Sequence, residues 1–155
     1  NPPSSWGWSH GTHVAGLLSA TTNNNTGIAS TAFNCSILPV KSSSDTETIT
    51  DGYAGLLYAA QAGYHSEGFV IINCSWGGLG SSIFEQANIN TIHNNYNAVI
   101  FAASGNGSDT GWGEDYAAQY PCSYENVISI TASVSPIAVV SNTTLAPEAP
   151  LLLLL

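Results

Sequence analysis

Apolar side chains recur at helical spacing in three parts of the chain, which predicts three α-helices. The helical segments are residues 10–20, 51–62 and 82–94. Val14, Leu17 and Leu18 mark one face of the first helix, and the nine residues before it are expected to form a loop.

Residues at the boundaries of the other two helices carry start and stop signals. Thr50 or Asp51 can cap the second helix, and Gly63 is expected to end it. Ser82 and Glu85 have capping-box spacing at the start of the third helix.

Apolar runs between these helices predict strands of a parallel sheet. They are residues 35–41, 69–74, 98–103 and 127–131, with Pro39 indicating an irregular or edge position in the first. Continuous apolar runs are typical of strands buried on both faces. Strands that alternate with helices predict an α/β fold, a parallel twisted sheet with helices on both faces.

Residues 135–155 follow neither the helical nor the strand period of apolar positions. They contain three prolines and end in five leucines. We therefore divide the chain into a domain of residues 1–134 and an atypical tail of residues 135–155. We interpret the tail as truncated, frame-shifted or poorly defined sequence and expect the sheet to be incomplete at both ends.

The charge composition excludes several partners. Only 7% of residues are charged, Lys41 is the single basic residue, and the formal net charge is −9. Nucleic acid and anionic membrane surfaces therefore have no electrostatic attraction to this chain. No apolar run approaches the roughly 20 residues of a membrane span. The acidic composition, rich in Asn, Ser and Thr, favours a secreted protein, with any export signal outside this sequence.

Three cysteines, Cys35, Cys74 and Cys122, form no C-x-x-C pair. They are compatible with one disulfide and one thiol, or with three thiols, and the sequence leaves both open.

The motif HGTHVAG, residues 10–16, opens the first helix with an imidazole beside a glycine. Such a histidine is exposed enough to exchange protons near neutral pH. A zinc pair of His10 and His13 would need the glutamate of H-E-x-x-H, which is missing. We expect His13 to be buried and hydrogen-bonded. Two further stretches, CSWGG at 74–78 and ASGNG at 103–107, follow strands, where sites of parallel sheets gather.

Together these motifs resemble the subtilisin-like serine peptidases, the subtilases. HGTHVAG is similar to the family's catalytic-histidine motif and INCSWGG, residues 72–78, to its I-N-x-S-x-G-G segment. AASGNG, residues 102–107, resembles A-A-x-G-N, and YPCSYENVI, residues 120–128, resembles Y-P-A-x-x-x-x-V-I. The four occur in the family's order over roughly residues 10–132, so residues 1–134 resemble the central part of the peptidase domain.

The resemblance implies two catalytic roles. His10 would be the general base that takes the proton from the nucleophilic serine. Asn106 would direct its amide at the oxyanion of the tetrahedral intermediate. The alternative for Asn106 is a turn residue, because Asn before Gly is a common turn dipeptide.

The resemblance also implies a substrate cleft with two walls. One wall would consist of Ser75, Trp76 and Gly77, and the other of Ala103, Ser104 and Gly105. Gln119 would lie near the base of the first specificity pocket, whose neutral, roomy lining predicts apolar or broad preference over charged substrates. A core aromatic remains the alternative for Trp76.

No cofactor is required for this chemistry, but a structural calcium ion is one expectation. Residues 23–27, NNNTG, occupy the place of a calcium-binding loop in many subtilases, and amide and carbonyl oxygens suit calcium. The stretch holds no carboxylate, and a polar turn is the alternative.

Two residues of the expected Asp-His-Ser triad are missing. The first acid, Asp45, follows His10, and no serine after Asn106 stands in the family's G-T-S-x-A setting. The resemblance therefore implies a serine endopeptidase that acts on peptides or proteins through an acyl-enzyme, as part of a longer parent chain, with this chain inactive alone. The alternatives are a non-catalytic remnant that binds extended peptides and a small α/β module unrelated to proteolysis.

Overall fold

The computed structural model describes residues 6–32, 34–43, 48–105, 117–131 and 151–154. Its helices are α1 (Trp6–Ser19), α2 (Gly52–Glu67) and α3 (Ile83–Asn95). Its strands are β1 (Pro39–Val40), β2 (Val70–Cys74), β3 (Ala98–Ala103), β4 (Val127–Ile130) and β5 (Leu151–Leu154). No helix in these ranges is long and apolar enough to cross a membrane.

The strands form one sheet in the order β1-β5-β2-β3-β4, and every neighbouring pair is parallel. The β2–β3 register places Cys74 opposite Ala102, so both strands end at the same edge. A parallel sheet with α-helical crossovers confirms the α/β class predicted from the alternation of elements.

The hydrophobic core lies between one face of this sheet and the helices α2 and α3. Alternate residues of β2 and β3, such as Ile72 and Ile100, are buried against Leu56 of α2 and Ile89 of α3. The described residues therefore show one helix layer on the sheet, and the expected second layer stays a prediction.

The strand β4 differs from its prediction as a third buried strand. Ile128 and Ile130 are 46% and 51% exposed. The reason is that both side chains lie on the sheet face opposite α2 and α3, where Val99 of the central strand β3 is 40% exposed as well. The expected burial of β3 on both faces was therefore also wrong, since its residues alternate between the core and the opposite face.

The first and last strands also differ from expectation. Only Pro39 and Val40 of the predicted strand 35–41 are extended. The tail, in which no period was found, contributes Leu151–Leu154 as a strand between β1 and β2. Four leucines in a row carry no alternation of apolar and polar residues, so periodicity could not reveal a strand that pairs with β1 on one side and β2 on the other.

The predicted start of α1 and the predicted end of α2 were wrong. α1 begins at Trp6 rather than after a nine-residue loop, and Leu17 is 49% exposed despite its apolar spacing. α2 continues through Gly63 to Glu67 and ends at Gly68, whose φ of 78° provides a left-handed C-cap. Gly63 stays helical because it packs directly against Val70, so its missing side chain serves close packing.

The start of α3 confirms Ser82 as its N-cap, and a tyrosine completes the cap. The Ser82 hydroxyl accepts a hydrogen bond from the Phe84 backbone N–H at 3.2 Å. The Ser82 N–H donates to the hydroxyl of Tyr124, which itself donates to Glu85. The tyrosine hydroxyl thus connects the Ser82 N–H to the Glu85 carboxylate, which would bond directly in the expected capping box. At α2, Asp51 is the N-cap residue without a side-chain capping bond.

All three cysteines are free thiols, which decides the question the sequence left open. Cys74 is fully buried at the end of β2, and this burial raises the pKa of its thiol far above the ordinary value. Cys35 and Cys122 lie near backbone carbonyls, to which their thiols donate.

We predict that Gly63→Ala lowers the free energy of unfolding. The added Cβ would lie 2.7 Å from Cβ of Val70, and overpacking should outweigh the helix propensity of alanine by about 1–2 kcal/mol. Urea denaturation measures the change. The control, Gly80→Ala, has no atom within 4 Å of the added carbon and should differ from wild type by less than about 0.5 kcal/mol. A Gly63→Ala chain as stable as wild type would contradict the packing role.

Candidate functional site: a cleft beyond the ends of two parallel strands

Three backbone segments meet just beyond the carboxyl ends of β2 and β3. They are residues 75–78, residues 103–105 and residues 117–120. The first two follow neighbouring parallel strands and therefore leave the sheet at the same edge. The third segment returns to this edge before the chain enters β4. The predicted substrate-binding residues lie on these three segments.

The closest contact in this cluster is between backbones. A Cβ built on Gly77 would lie 3.2 Å from the carbonyl oxygen of Tyr120 and 3.9 Å from that of Ala103. Gly78 and Tyr120 exchange two backbone hydrogen bonds, at 2.8 and 2.9 Å. The first wall is therefore joined to the third segment and lies beside Ala103.

Gly105 and Gln119 bring the second wall against the third segment. Gly105 has a φ of 108°, which favours glycine, and a Cβ built there would lie 3.5 Å from Cγ of Gln119. The amide nitrogen of Gln119 is buried and has no hydrogen-bond partner among the residues that the structure describes. A buried donor of this kind favours a bound acceptor beside it.

The two wall serines use their hydroxyls within the protein. Ser75 Oγ accepts a hydrogen bond from the side-chain amide of Asn73 at 2.8 Å. Ser104 Oγ donates to the carbonyl of Ile130 at 3.0 Å and lies 2.9 Å from Oγ1 of Thr131. Their side chains thus connect the walls to β2 and to the end of β4.

The indole of Trp76 packs as a core aromatic, one of the two readings left open by the sequence. Its ring meets Tyr53 edge to face with 5.6 Å between centroids. A Cβ on Gly52 would lie 2.8 Å from Cη2 of the indole, so the first residue of α2 must lack a side chain. The indole N–H is buried and has no hydrogen-bond partner within the described ranges.

A cluster of tyrosines behind the cleft was missed by the sequence analysis. Tyr124 lies between Tyr120, at 4.6 Å between ring centroids, and Tyr53, at 6.1 Å. Burial, and then the Glu85 carboxylate, raise the pKa of Tyr53 far above its ordinary value. Burial and the hydrogen bond to Glu85 raise the pKa of Tyr124 as well, so both phenols stay protonated. Glu85 had been recognised only as part of a helix cap.

Of the two predicted catalytic residues, the structure describes one. His10 is partly exposed in α1, as a proton-exchanging histidine requires. His13 is exposed, so the expectation of a buried histidine was wrong. It shares one side of α1 with Leu17 one turn later, and this side faces solvent. Asn106 lies outside the described residues, and its convergence with His10 stays a prediction.

The Asn-rich turn after α1 surrounds a cavity of about 200 Å³ lined by residues 22–29. Asn23, Asn25 and Gly27 have left-handed backbone conformations, with φ between 57° and 70°. Asn24 Oδ1 already accepts the Thr26 N–H at 3.0 Å. Within the described ranges no three His, Cys, Asp or Glu side chains form a metal cluster. The turn therefore fits a hard cation only through neutral amide and carbonyl oxygens.

Comparison with known proteins gives a family match over most of the chain. Residues 1–149 match the family described as the Subtilase family. Thermitase of Thermoactinomyces vulgaris is 39% identical over 127 residues, which cover 80% of this chain and 41% of thermitase.

Two further relatives agree with this match. The thermophilic serine proteinase of Bacillus sp. (strain AK1) is 39% identical over 79% of this chain and 28% of its own length. An extracellular protease of Xanthomonas campestris pv. campestris is 33% identical over 86% of this chain and 23% of its own. The chain thus spans less than half the length of each of these relatives.

Proposed function

Because this chain belongs to the subtilase family, we propose that it forms part of a serine endopeptidase that hydrolyses peptide bonds through an acyl-enzyme. The observation that carries the proposal is that residues 75–78, 103–105 and 117–120 meet beyond one parallel sheet edge, where we place the substrate cleft. A substrate backbone laid between two such walls would be held as an added extended strand.

The proposed mechanism assigns proton transfer to His10. Its imidazole would take the proton of the attacking serine hydroxyl and give it to the leaving amine. The Asn106 amide would donate a hydrogen bond to the oxyanion formed during attack. The serine and the orienting carboxylate would come from the rest of a longer polypeptide, and this chain alone would not turn over substrate.

The proposed substrate is a peptide or protein whose residue before the scissile bond enters the pocket beside Gly105 and Gln119. This pocket has no charged side chain among the described residues of its three segments, which supports an apolar or broad preference. The buried amide of Gln119 adds a hydrogen-bond donor at its base, so uncharged side chains with an acceptor oxygen would also be held.

A remnant that binds extended peptides without cleaving them is the second candidate. It would use the same walls, because their backbone geometry does not depend on the triad. The two candidates differ in the sequence that flanks this segment, where an upstream aspartate and a downstream Gly-Thr-Ser would favour the enzyme.

We also propose that the protein acts outside the cell. The relative from Xanthomonas is named an extracellular protease, and one basic residue against ten acidic ones suits a protein that stays in solution by net charge.

A structural calcium ion in the turn of residues 22–29 is a further part of the proposal. The left-handed residues Asn23 and Asn25 shape the cavity, and their side-chain oxygens are the available neutral ligands beside backbone carbonyls.

We predict that His10→Ala in the full-length protein lowers kcat for peptide hydrolysis by orders of magnitude, because the general base is lost. Asn106→Ala should lower kcat more than it raises KM, because the oxyanion exists only in the transition state. Steady-state kinetics on a chromogenic peptide measure both. His13→Ala, on the same helix and exposed, is the matched control and should keep most activity. A His10→Ala protein with near wild-type turnover would remove His10 from the mechanism.

We predict that Gln119→Glu shifts the preferred residue before the scissile bond towards Lys and Arg. A carboxylate at the pocket base should favour basic over apolar substrates by about tenfold, the size of one charged hydrogen bond. The ratio of kcat/KM on paired peptides measures the shift. Gln119→Ala removes the amide without adding charge and should not favour basic substrates. An unchanged ratio in Gln119→Glu would place this residue outside the pocket.

We predict that calcium raises the thermal unfolding temperature of the chain and that magnesium does not, because neutral oxygens in a roomy turn suit the larger ion. Asn23→Gly and Asn25→Gly remove amide oxygens while keeping the left-handed backbone, and both should diminish the calcium effect. Asn94→Ala, an exposed position in α3, is the control. Equal unfolding temperatures with calcium and with chelator would leave the turn without a metal role.

A further inference from the structure

The hydroxyl of Tyr124 connects the start of α3 to the turn that carries the pocket base. Tyr124 is only 7% exposed. Its hydroxyl accepts the Ser82 N–H at 2.7 Å and donates to Oε2 of Glu85 at 2.5 Å. A hydroxyl that donates to a carboxylate forms a short, charge-assisted hydrogen bond. This bond fixes the tyrosine relative to α3.

The ring of Tyr124 contacts Tyr120, which lies beside the first wall. It packs against Tyr120 at 4.6 Å, and the Tyr120 backbone pairs with Gly78 of the first wall. The turn between the two tyrosines is tight, because Ser123 N–H donates to the carbonyl of Gln119 at 2.9 Å. A displaced Tyr124 ring would therefore move residues 119 and 120, which contact the second and the first wall.

A second connection keeps α3 and this turn together when the first is removed. The side-chain amide of Gln86 accepts the Glu125 N–H at 3.0 Å and donates to the Glu125 carbonyl at 3.3 Å. The side-chain amide of Asn126 donates a further hydrogen bond to Oδ1 of Asn90 at 3.0 Å. Loss of the Glu85–Tyr124 hydrogen bond should then change the local position of the turn and leave the fold intact.

We propose that Glu85 and Tyr124 are positioning residues that set the shape of the specificity pocket through Tyr120. This inference rests on the proposed peptidase function. Neither residue is expected to touch the substrate, and neither belongs to the proton-transfer chemistry. Their effect should appear in substrate preference and KM, with kcat on the poorer substrate nearly unchanged.

The test compares two peptide substrates that differ only in the residue before the scissile bond, Phe in one and Ala in the other. Tyr124→Phe and Glu85→Ala in the full-length protein should lower the Phe-to-Ala ratio of kcat/KM by about tenfold, mainly through KM, as expected for one hydrogen bond to a charged group. Glu85→Gln keeps an acceptor oxygen and should restore most of the ratio. Tyr58→Phe, the same change at a 56% exposed helix position, is the matched control.

Amide hydrogen exchange gives a readout that does not need activity. In this chain, Tyr124→Phe and Glu85→Ala should speed exchange at the Gly78 and Tyr120 amides by about tenfold relative to Tyr58→Phe, because the bridge between them loosens. Amides in the centre of β3 should keep their protection, which distinguishes local loosening from global unfolding.

The outcomes separate this inference from the proposed function. A wild-type full-length protein that cleaves neither peptide would refute the peptidase, and exchange at Gly78 and Tyr120 would then decide the positioning role alone. An active enzyme whose Tyr124→Phe form keeps both its substrate ratio and its exchange rates would overturn the role. Equal losses of kcat on both peptides with faster exchange throughout β3 would also overturn it, because they indicate general destabilisation.

Discussion

The close approach of the backbone of residues 77–78 to that of Tyr120 is the constraint on which the candidate site depends. Two hydrogen bonds join Gly78 to Tyr120, and Gly77 lies so near the Tyr120 carbonyl that a side chain would crowd it. This contact fixes the first wall relative to the pocket base. The parallel register of β2 and β3 then places the second wall beside it. Backbone atoms hold this geometry, and the hydroxyls of Ser75 and Ser104 reinforce it with hydrogen bonds inside the protein.

Aromatic packing and hydrogen bonds between α3 and the turn of residues 120–126 stabilise this contact. With one basic residue in the whole chain, ion pairs contribute little to these networks. Amide and hydroxyl groups replace them: Gln86 and Asn90 hold the turn after Tyr124, and Asn88 donates to the Tyr53 carbonyl at 3.1 Å. Neutral hydrogen bonds of this kind avoid the large desolvation cost of buried charge. The one carboxylate in the network, Glu85, accepts from a protonated tyrosine.

Part of this arrangement could be predicted from local sequence. Apolar runs located β2 and β3 almost to the residue, and the glycines after them marked the two walls. The resemblance to subtilases pointed to Gln119, whose contact with Gly105 agrees with a place beside the pocket. Local sequence failed where burial depends on partners distant in the chain. His13 and Ile128 looked like interior residues, yet the first lies on an exposed helix side and the second on the sheet face opposite α2 and α3.

The sequence by itself determined the α/β class, the main elements and the family, because periodicity, turn residues and motif spacing are local properties of the chain. Only the tertiary structure decided that Gly63 continues a helix, that Leu151–Leu154 adds a strand and that Trp76 packs on α2. It also revealed the Tyr124–Glu85 contact, whose partners lie 39 residues apart. Such contacts depend on how strands and helices stack in three dimensions, and no pattern within a short window of sequence contains that information.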